Sequence, residues 1–291
     1  MSPAGRPVAA VVALALLGIA LGALPLLIRG DVPATHLVAT RVTLGAAVLL
    51  PALWLTGGPV VPRSGLGRLF VLAVVLTLHW LTFFLAIKLT TVAVALAAVY
   101  LGPVAAAALS GPLLGETVGR KAVGGLVLAL VGTLLVVRPG GGMTAAGLAA
   151  GAASGALFAA FMIVGKPVAD RLGGLVVATW ELVFASILLA PFTVQAIRVS
   201  SDAWPRFLLL GAVFTGVAGV VYWSSMRRLP VAVVAVIMYL EPASAVVWAA
   251  GVLGEMPDTP GWIGVALVIV GGVLASMETS EEVVVGASTA L

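Results

Sequence analysis

The chain has 291 residues, of which 62% are hydrophobic and 9% are charged. A soluble domain carries about 25% charged residues, so this composition excludes a soluble protein and predicts an integral membrane protein. The chain has no cysteine, which excludes disulfides, thiolate metal sites and cysteine nucleophiles. Its net charge of +4 comes from loop residues, so we interpret it as a topology signal and expect no nucleic-acid partner.

Apolar runs of about 20 residues, the length that crosses a bilayer, follow one another along the chain. They cover 8–28, 36–56, 66–87, 91–115, 121–137, 145–166, 175–197, 206–226, 230–253 and 260–277. We interpret the first run as a span and not as a cleavable signal, because further spans follow at once. The sequence therefore predicts an all-α integral membrane protein with ten transmembrane helices.

Residues 92–135 and 231–274 repeat one another at a constant offset of 139. The matched positions include Tyr100 with Tyr239, Pro103 with Pro242, and Gly115-Glu116 with Gly254-Glu255. Each half contains five spans, and because five is odd the second half enters the membrane inverted. We predict a first five-helix repeat over 1–138, a glycine-rich linker over 139–144, an inverted repeat over 145–277 and a flexible cytoplasmic tail over 278–291.

The distribution of Lys and Arg predicts the orientation, since cytoplasmic loops carry the excess of these residues. With the N-terminus inside, nine of them lie in cytoplasmic segments and five in outer loops. This bias favours a multi-pass protein of the inner cell membrane with both termini in the cytoplasm. An inverted repeat suits alternating access, because one unit closes one side and its twin closes the other.

The chain resembles the EamA family of the drug/metabolite transporter superfamily. The resemblance is carried by the 5+5 repeat, by the pattern Pro-x11-Gly-Glu, which begins at Pro103 and again at Pro242, and by a glycine-rich helix after each Gly-Glu. It implies a ten-helix transporter with a central cavity between inverted halves. It also implies, as the usual role in this family, export of small metabolites such as amino acids, or of drugs.

Glu241 is the first candidate substrate-binding residue, because it lies near the centre of the ninth span. A charge at that depth costs about 2.5 kcal/mol or more. Its repeat counterpart is Gly102, so the two halves differ in charge at this position. We expect Glu241 to bind a substrate ammonium or to take up a proton; the alternative is a protonated side chain that fixes helix packing.

Pro103 and Pro242 are predicted helix breaks near the middle of the membrane, since proline leaves the carbonyl four residues earlier without its donor. Tyr100 and Tyr239 precede them by three residues and share roughly one helical face with them. We expect both tyrosine hydroxyls to line the cavity and to bind a substrate carboxylate or amide.

His79 lies within the third span and shares a helical face with Thr82 and Phe83. We predict that this face points inward and contributes to substrate binding, while Trp80 and Phe84 on the other side face lipid. A packing role for His79 is the alternative.

Arg41 and Glu181 form an inverted pair at an offset of 140, each lying more than a turn inside its span. We predict gating or coupling roles for both, and substrate binding for Trp180 beside Glu181. Snorkelling of Arg41 to the headgroups is the alternative. Glu116 and Glu255 end their spans, so we predict structural roles for them at the start of the next helix.

No cofactor or metal site is predicted, and the chain shows no HExxH motif, serine elbow or phosphate loop. A membrane enzyme is therefore disfavoured. A non-transporting scaffold or receptor, and an importer of a small solute, stay as alternatives to an exporter. The energy source is the substrate gradient or a proton gradient. The expected partners are a small-molecule substrate and the lipid bilayer, with the protein a monomer or a homodimer.

Overall fold

The computed structural model describes residues 5–28, 32–56, 61–62, 64–138, 142–199 and 204–288. Every regular element within these ranges is a helix. The first half contains α1 (Gly5–Leu21), α2 (Leu24–Ile28), α3 (Ala34–Leu55), α4 (Leu66–Leu89), α5 (Val92–Val99), α6 (Leu101–Leu114) and α7 (Arg120–Val137).

The second half repeats this order with additional interruptions. It contains α8 (Ala145–Leu172), α9 (Gly174–Leu188), α10 (Ala190–Val199), α11 (Trp204–Gly211), a π-helical segment (Ala212–Val217), α12 (Ala218–Met226), α13 (Val231–Met238), α14 (Leu240–Leu253) and α15 (Thr259–Ser288). Within the described ranges, nine helices are long and apolar enough to cross a membrane, and a bent pair brings the number to ten. These candidate spans agree with the ten apolar runs of the sequence to within a few residues.

The bent pair is α9 with α10, which meet at an angle of 75°. The sequence predicted one span over 175–197. Pro191, the second residue of α10, has no N–H to donate to the carbonyl of residue 187, which favours a kink or break at this point. The seventh span is therefore broken near Leu189.

The segment over 278–291, predicted as a tail, begins as a continuation of the last helix. Helix α15 continues without interruption to Ser288, and residues 289–291 lie outside the described ranges. The physical reason is local, since the stretch from Val273 to Val285 contains neither proline nor glycine, the residues that most strongly stop a helix.

Helices α7 and α15 occupy equivalent positions in the two halves and pack against each other in antiparallel fashion. A Cβ atom added at Gly125 would lie 2.5 Å from the carbonyl oxygen of Gly271, and one at Gly132 would lie 2.6 Å from that of Gly264. At the offset of 139, Gly125 corresponds to Gly264 and Gly132 to Gly271. Equivalent helices that contact each other in this reciprocal way are related by a two-fold axis between the halves.

The two interrupted spans are also related by this two-fold axis. Each breaks at the repeated tyrosine, α5 from α6 at Tyr100 and α13 from α14 at Tyr239. The end of α6 lies beside the start of α13, because the Glu116 side chain accepts a hydrogen bond from the backbone N–H of Val231. The two spans therefore run in opposite directions, and Gly254-Glu255 lies at the far end of the bundle. We call the two ends the Glu116 face and the Glu255 face.

Candidate functional site

Arg41 is held in the protein interior by the segment that follows α11. Its Nε donates to the Thr215 hydroxyl at 3.0 Å, and Nη2 donates to the carbonyl oxygen of Phe214 at 3.4 Å. The guanidinium carbon lies 5.8 Å from the centre of the Trp80 ring, within the range of a cation–π interaction. These contacts fix the charge inside the bundle and do not let it snorkel to the headgroups.

The π-helical turn supplies both acceptors for Arg41. Thr215 also donates to the carbonyl oxygen of Leu210, five residues earlier, at 2.8 Å. Helix α3 approaches this turn closely, because a Cβ atom at Gly211 would lie 2.4 Å from the Cβ of Leu44. Single π turns within α-helices are frequent at functional sites. Thr215 does not stand out in the sequence, where the only signal is the run of glycines at 211, 216 and 219.

Glu241 lies in the first turn of α14 and is half-buried. It interacts electrostatically with Arg41. In the described part of the chain, no hydrogen bond or direct ion pair reaches its carboxylate. The two charges thus face each other from different halves of the molecule without forming a closed pair.

The contrast between Glu241 and its repeat counterpart Gly102 has a steric cause. Helix α6 packs so closely on α8 that a Cβ atom at Gly102 would lie 2.5 Å from the carbonyl oxygen of Gly155. No larger side chain fits there without moving a helix. A carboxylate side chain therefore fits at this repeat position only in the second half, which makes the central site asymmetric in charge.

Tyr100 and Tyr239 meet at the centre of the bundle. Their rings lie 5.5 Å apart at 34°, and the Tyr239 hydroxyl donates to the backbone carbonyl of Tyr100. Tyr100 interacts electrostatically with Glu241, so these three residues and Arg41 belong to one site. The helix breaks fall on the tyrosines themselves, and Pro103 and Pro242 lie three residues further on, in the first turn of α6 and of α14.

His79 is not part of this group. Its Nδ1 lies 2.9 Å from the Ser154 hydroxyl and 3.0 Å from the Ser154 carbonyl oxygen, and the Ser154 hydroxyl also contacts the His79 carbonyl oxygen at 2.9 Å. Its ring stacks on Phe158 at 5.2 Å. These contacts join α4 to α8. The Thr82 hydroxyl donates to carbonyl oxygens of its own helix, and Phe83 packs against Phe84.

The structure corrects the predicted orientation of α4. Trp80 and Phe84 were expected to face lipid, yet both pack against the hydrophobic core. The reason is Arg41, whose guanidinium requires a neighbour that tolerates charge, and the Trp80 ring supplies one. The site therefore includes Trp80, which the sequence analysis did not predict.

Glu181 lies in a separate cluster. Its side chain is 3% exposed, and Oε1 accepts a hydrogen bond from Nε1 of Trp223 at 2.8 Å. Its neighbour Trp180 is half-buried, with its ring 5.6 Å from that of Phe184. The hydrogen bond of Glu181 thus goes to α12, whereas Arg41 is bonded to Thr215 and Phe214.

A polar cluster ties the two halves together at the Glu116 face. Glu116 accepts from the Val231 N–H at 2.7 Å, and the Lys166 ammonium lies 3.9 Å from its other oxygen. Lys166 also donates to the carbonyl oxygen of Met226 at 2.8 Å. We call these four residues the Glu116 cluster. Burial raises the pKa of the Glu116 carboxyl above its ordinary value, against the lowering influence of the Val231 N–H and Lys166.

Glu116 therefore caps a helix, as predicted, but a different one. We predicted that Glu116 would interact with the start of the next helix, α7, whereas the helix that it caps is α13 of the other half. Only the folded arrangement brings residues 116 and 231 together.

Comparison with known proteins agrees with this architecture. Residues 7–138 and 145–277 each match the sequence model of the EamA-like transporter family. A Bacillus subtilis protein described as the uncharacterized transporter YwfM is 25% identical over 240 residues, which cover 80% of this chain and 81% of that protein. An uncharacterized transporter of Archaeoglobus fulgidus is 29% identical over 193 residues, which cover 66% of this chain and 70% of that protein.

One solved crystal structure has a closely similar fold. It matches with a TM-score of 0.77 and 23% sequence identity, over 93% of this chain and 98% of the other. At this identity the likeness concerns the fold alone.

Proposed function

This chain belongs to the EamA-like transporter family, and on that premise we propose that it exports a small metabolite that carries an ammonium group. Amino acids and amphipathic amines are the compounds that fit the site best. The observation that carries the proposal is the relationship between Arg41 and Glu241. Two opposite charges from different halves face each other in the interior without a direct ion pair.

The charges suit a zwitterion. Arg41 uses Nε and Nη2 in its protein contacts, so Nη1 can bind a carboxylate. Glu241 can bind an ammonium group, because no described residue occupies its oxygens. An uncompensated charge inside a membrane is costly, and such residues usually line substrate pathways. One cation and one anion do not suit a polyanion such as a nucleotide sugar.

The aromatic side chains suit the apolar part of such a compound. Trp80 lies beside Arg41, and Tyr100, whose ring contacts that of Tyr239, interacts with Glu241. Aromatic faces bind both apolar groups and cations. This arrangement supports an amphipathic amine or an amino acid over a purely polar solute.

Alternating access is the mechanism that the repeat supports. The Glu116 cluster closes one face of the bundle through contacts between the halves. At the Glu255 face, Arg138 contacts Asp258 and also joins the two halves, but this ion pair is exposed and lies where α7 packs against α15. With both termini in the cytoplasm, as the Lys and Arg distribution favours, the Glu116 face is cytoplasmic and the described conformation is closed on that side.

Export from proteoliposomes tests this proposal. The vesicles are loaded with a mixture of L-amino acids and phenylethylamine, and mass spectrometry of the outer medium follows each compound. We expect one or more of them to leave faster than from vesicles without protein, and this excess to fall with Glu241→Gln. If every compound leaves both kinds of vesicle at the same rate, the proposed substrate class is wrong.

A further inference from the structure

Glu181 is a buried acid with no charged partner among the described residues. Trp223 donates to its Oε1, but Oε2 has no hydrogen-bond partner among the described residues. Beside it, the hydroxyl of Tyr222 is buried and is likewise without a described partner. The two groups interact electrostatically. Two unsatisfied polar groups thus adjoin each other in the interior of the second half.

Charged side chains on the neighbouring helices are engaged elsewhere. Arg41 on α3 contacts Thr215 and faces Glu241, and His79 on α4 contacts Ser154. Lys166 on α8 belongs to the Glu116 cluster, and His36 on α3 contacts Gln195. The remaining described charges on the helices packed against α9, and at the end of α12, are exposed: Arg68, Lys88, Asp170, Arg171, Arg227 and Arg228. Tyr222 is therefore the titratable group that Glu181 faces.

A proton satisfies this arrangement. An isolated carboxylate in a dry interior is unfavourable, and uptake of a proton removes the charge. No hydrogen bond joins Oε2 to the Tyr222 hydroxyl in the described conformation, so one of the two side chains must rotate before the protonated Oε2 donates to the tyrosine oxygen. That oxygen accepts because a tyrosine hydroxyl is both donor and acceptor. After the proton leaves, the Tyr222 O–H can instead donate to the carboxylate. With that rotation, Tyr222 supplies a hydrogen-bond partner for Glu181 in both protonation states.

Trp223 links this pair to the Glu116 cluster. Its indole is fully buried and packs on Phe161, with ring centres 4.8 Å apart. It also fills the space beside Gly165, where a Cβ atom would lie 2.0 Å from the indole. The next residue is Lys166, which contacts Glu116. A hydrogen bond to a carboxylate is about twice as strong as one to a neutral acid, so protonation of Glu181 weakens the bond that positions Trp223 against α8.

We propose that Glu181 and Tyr222 form a proton-binding site, separate from the Arg41–Glu241 site, and that Trp223 and α8 couple its occupancy to the Glu116 cluster. The coupling role rests on the proposed transport function, whereas proton binding itself does not. The site gives the transporter a place for a driving proton that the substrate does not displace.

Infrared difference spectroscopy of the purified protein in lipid vesicles, without substrate, tests proton binding. The pH is stepped between about 5 and 9, a range over which perturbed carboxyl groups titrate. We expect a carboxylic C=O band that disappears with Glu181→Gln and shifts in frequency with Tyr222→Phe, which keeps the carboxyl. Glu255→Gln serves as the control that leaves this band in place, because Glu255 is exposed at the other face of the bundle. A band that is unchanged in Glu181→Gln, or one that does not titrate in this range, overturns the proposal.

Efflux measurements distinguish failure of the proposed proton-binding site from failure of the proposed transport function. Efflux is measured with and without an imposed pH gradient, in wild type and in Glu181→Gln. We expect the gradient to change the wild-type rate and to leave the Glu181→Gln rate unchanged. Efflux that responds equally to the gradient in both proteins contradicts coupling through Glu181 and leaves the transport function standing. A titrating Glu181 band without any efflux supports the site and contradicts the function.

Discussion

The hydroxyl of Tyr239 donates a hydrogen bond to the backbone carbonyl of Tyr100, its own counterpart in the repeat. A residue can contact its counterpart only on the axis that relates the two halves, so this bond marks the centre of the molecule. Both interrupted spans are broken at these residues, and a break releases backbone carbonyls from their helical donors. The bond thus satisfies a backbone group at the point where the two halves cross.

Substituting Tyr239 with Phe removes the donor of a buried hydrogen bond between the two halves. We expect a loss of about 0.5–1.5 kcal/mol in the free energy of unfolding, the usual net contribution of an intramolecular hydrogen bond. Tyr100→Phe is the matched control, because Tyr100 contributes its backbone and not its hydroxyl to this bond. Thermal unfolding in detergent compares them, and equal destabilisation by the two substitutions would show that the bond has no special role.

The close contact between α7 and α15 gives a second matched pair. A Cβ atom at Gly125 would lie 2.5 Å from a backbone oxygen of α15, whereas one at Gly124 would meet only the flexible end of Leu274 at 3.2 Å. We expect Gly125→Ala to lower the unfolding free energy by about 1–3 kcal/mol through overpacking and Gly124→Ala to be tolerated. The apparent melting temperature of each variant is the measurement. A stable Gly125→Ala protein would mean that these helices are not in the contact described.

The helices and their repeat could be predicted from the sequence because hydrophobic runs and rare matched residues are local patterns. Glu241 and the two tyrosines stood out for the same reason. The partner of Glu241 did not, because Arg41 belongs to the other half and its position depends on a π turn around Thr215. Trp80 was predicted to face lipid, because helical periodicity alone cannot show which apolar face of a helix packs against a charged side chain. Glu116 likewise caps a helix that is distant in sequence.

Substituting Glu241 and Glu255 with Gln tests the importance of charge at the centre of the molecule. Glu241 faces Arg41, whereas Glu255 is exposed at the end of its span. A contact to a charged group contributes about 1.5–3 kcal/mol, so we expect Glu241→Gln to reduce efflux by about tenfold or more. Glu255→Gln should keep the rate close to that of wild type. The same efflux assay compares both, and an active Glu241→Gln protein would remove Glu241 from the site.

Closure of the Glu116 face is expected to depend on pH. Burial raises the pKa of the Glu116 carboxyl in the closed conformation, and opening would hydrate the group and return its pKa toward the ordinary value. The closed conformation therefore holds the proton more tightly, so acidic pH favours closure. This advantage is lost as the pH rises through the raised pKa.

Thiol labelling can measure this dependence, because the native chain has no cysteine. Ala232, beside Val231, is 2% exposed, so Ala232→Cys reports opening at the Glu116 face. We expect its labelling rate to rise with pH relative to the rate in a Glu116→Gln background, where the thiol's own ionisation is the same. A ratio that does not vary with pH would show that Glu116 does not control closure.

Alternating access requires the Glu116 face to open, and a cross-link tests this requirement most directly. The double variant Glu116→Cys with Val231→Cys allows a cleavable thiol-reactive cross-linker to join the two halves at the Glu116 face. The control is Arg138→Cys with Asp258→Cys, which allows the same reagent to join α7 to α15, where glycine contacts already hold the helices together. Efflux of amino acids from proteoliposomes is measured before cross-linking, after it and after cleavage. We expect the cross-link at the Glu116 face to stop transport and its cleavage to restore transport. The cross-link between α7 and α15 should have little effect. Undiminished transport with the cross-link at the Glu116 face in place would contradict alternating access.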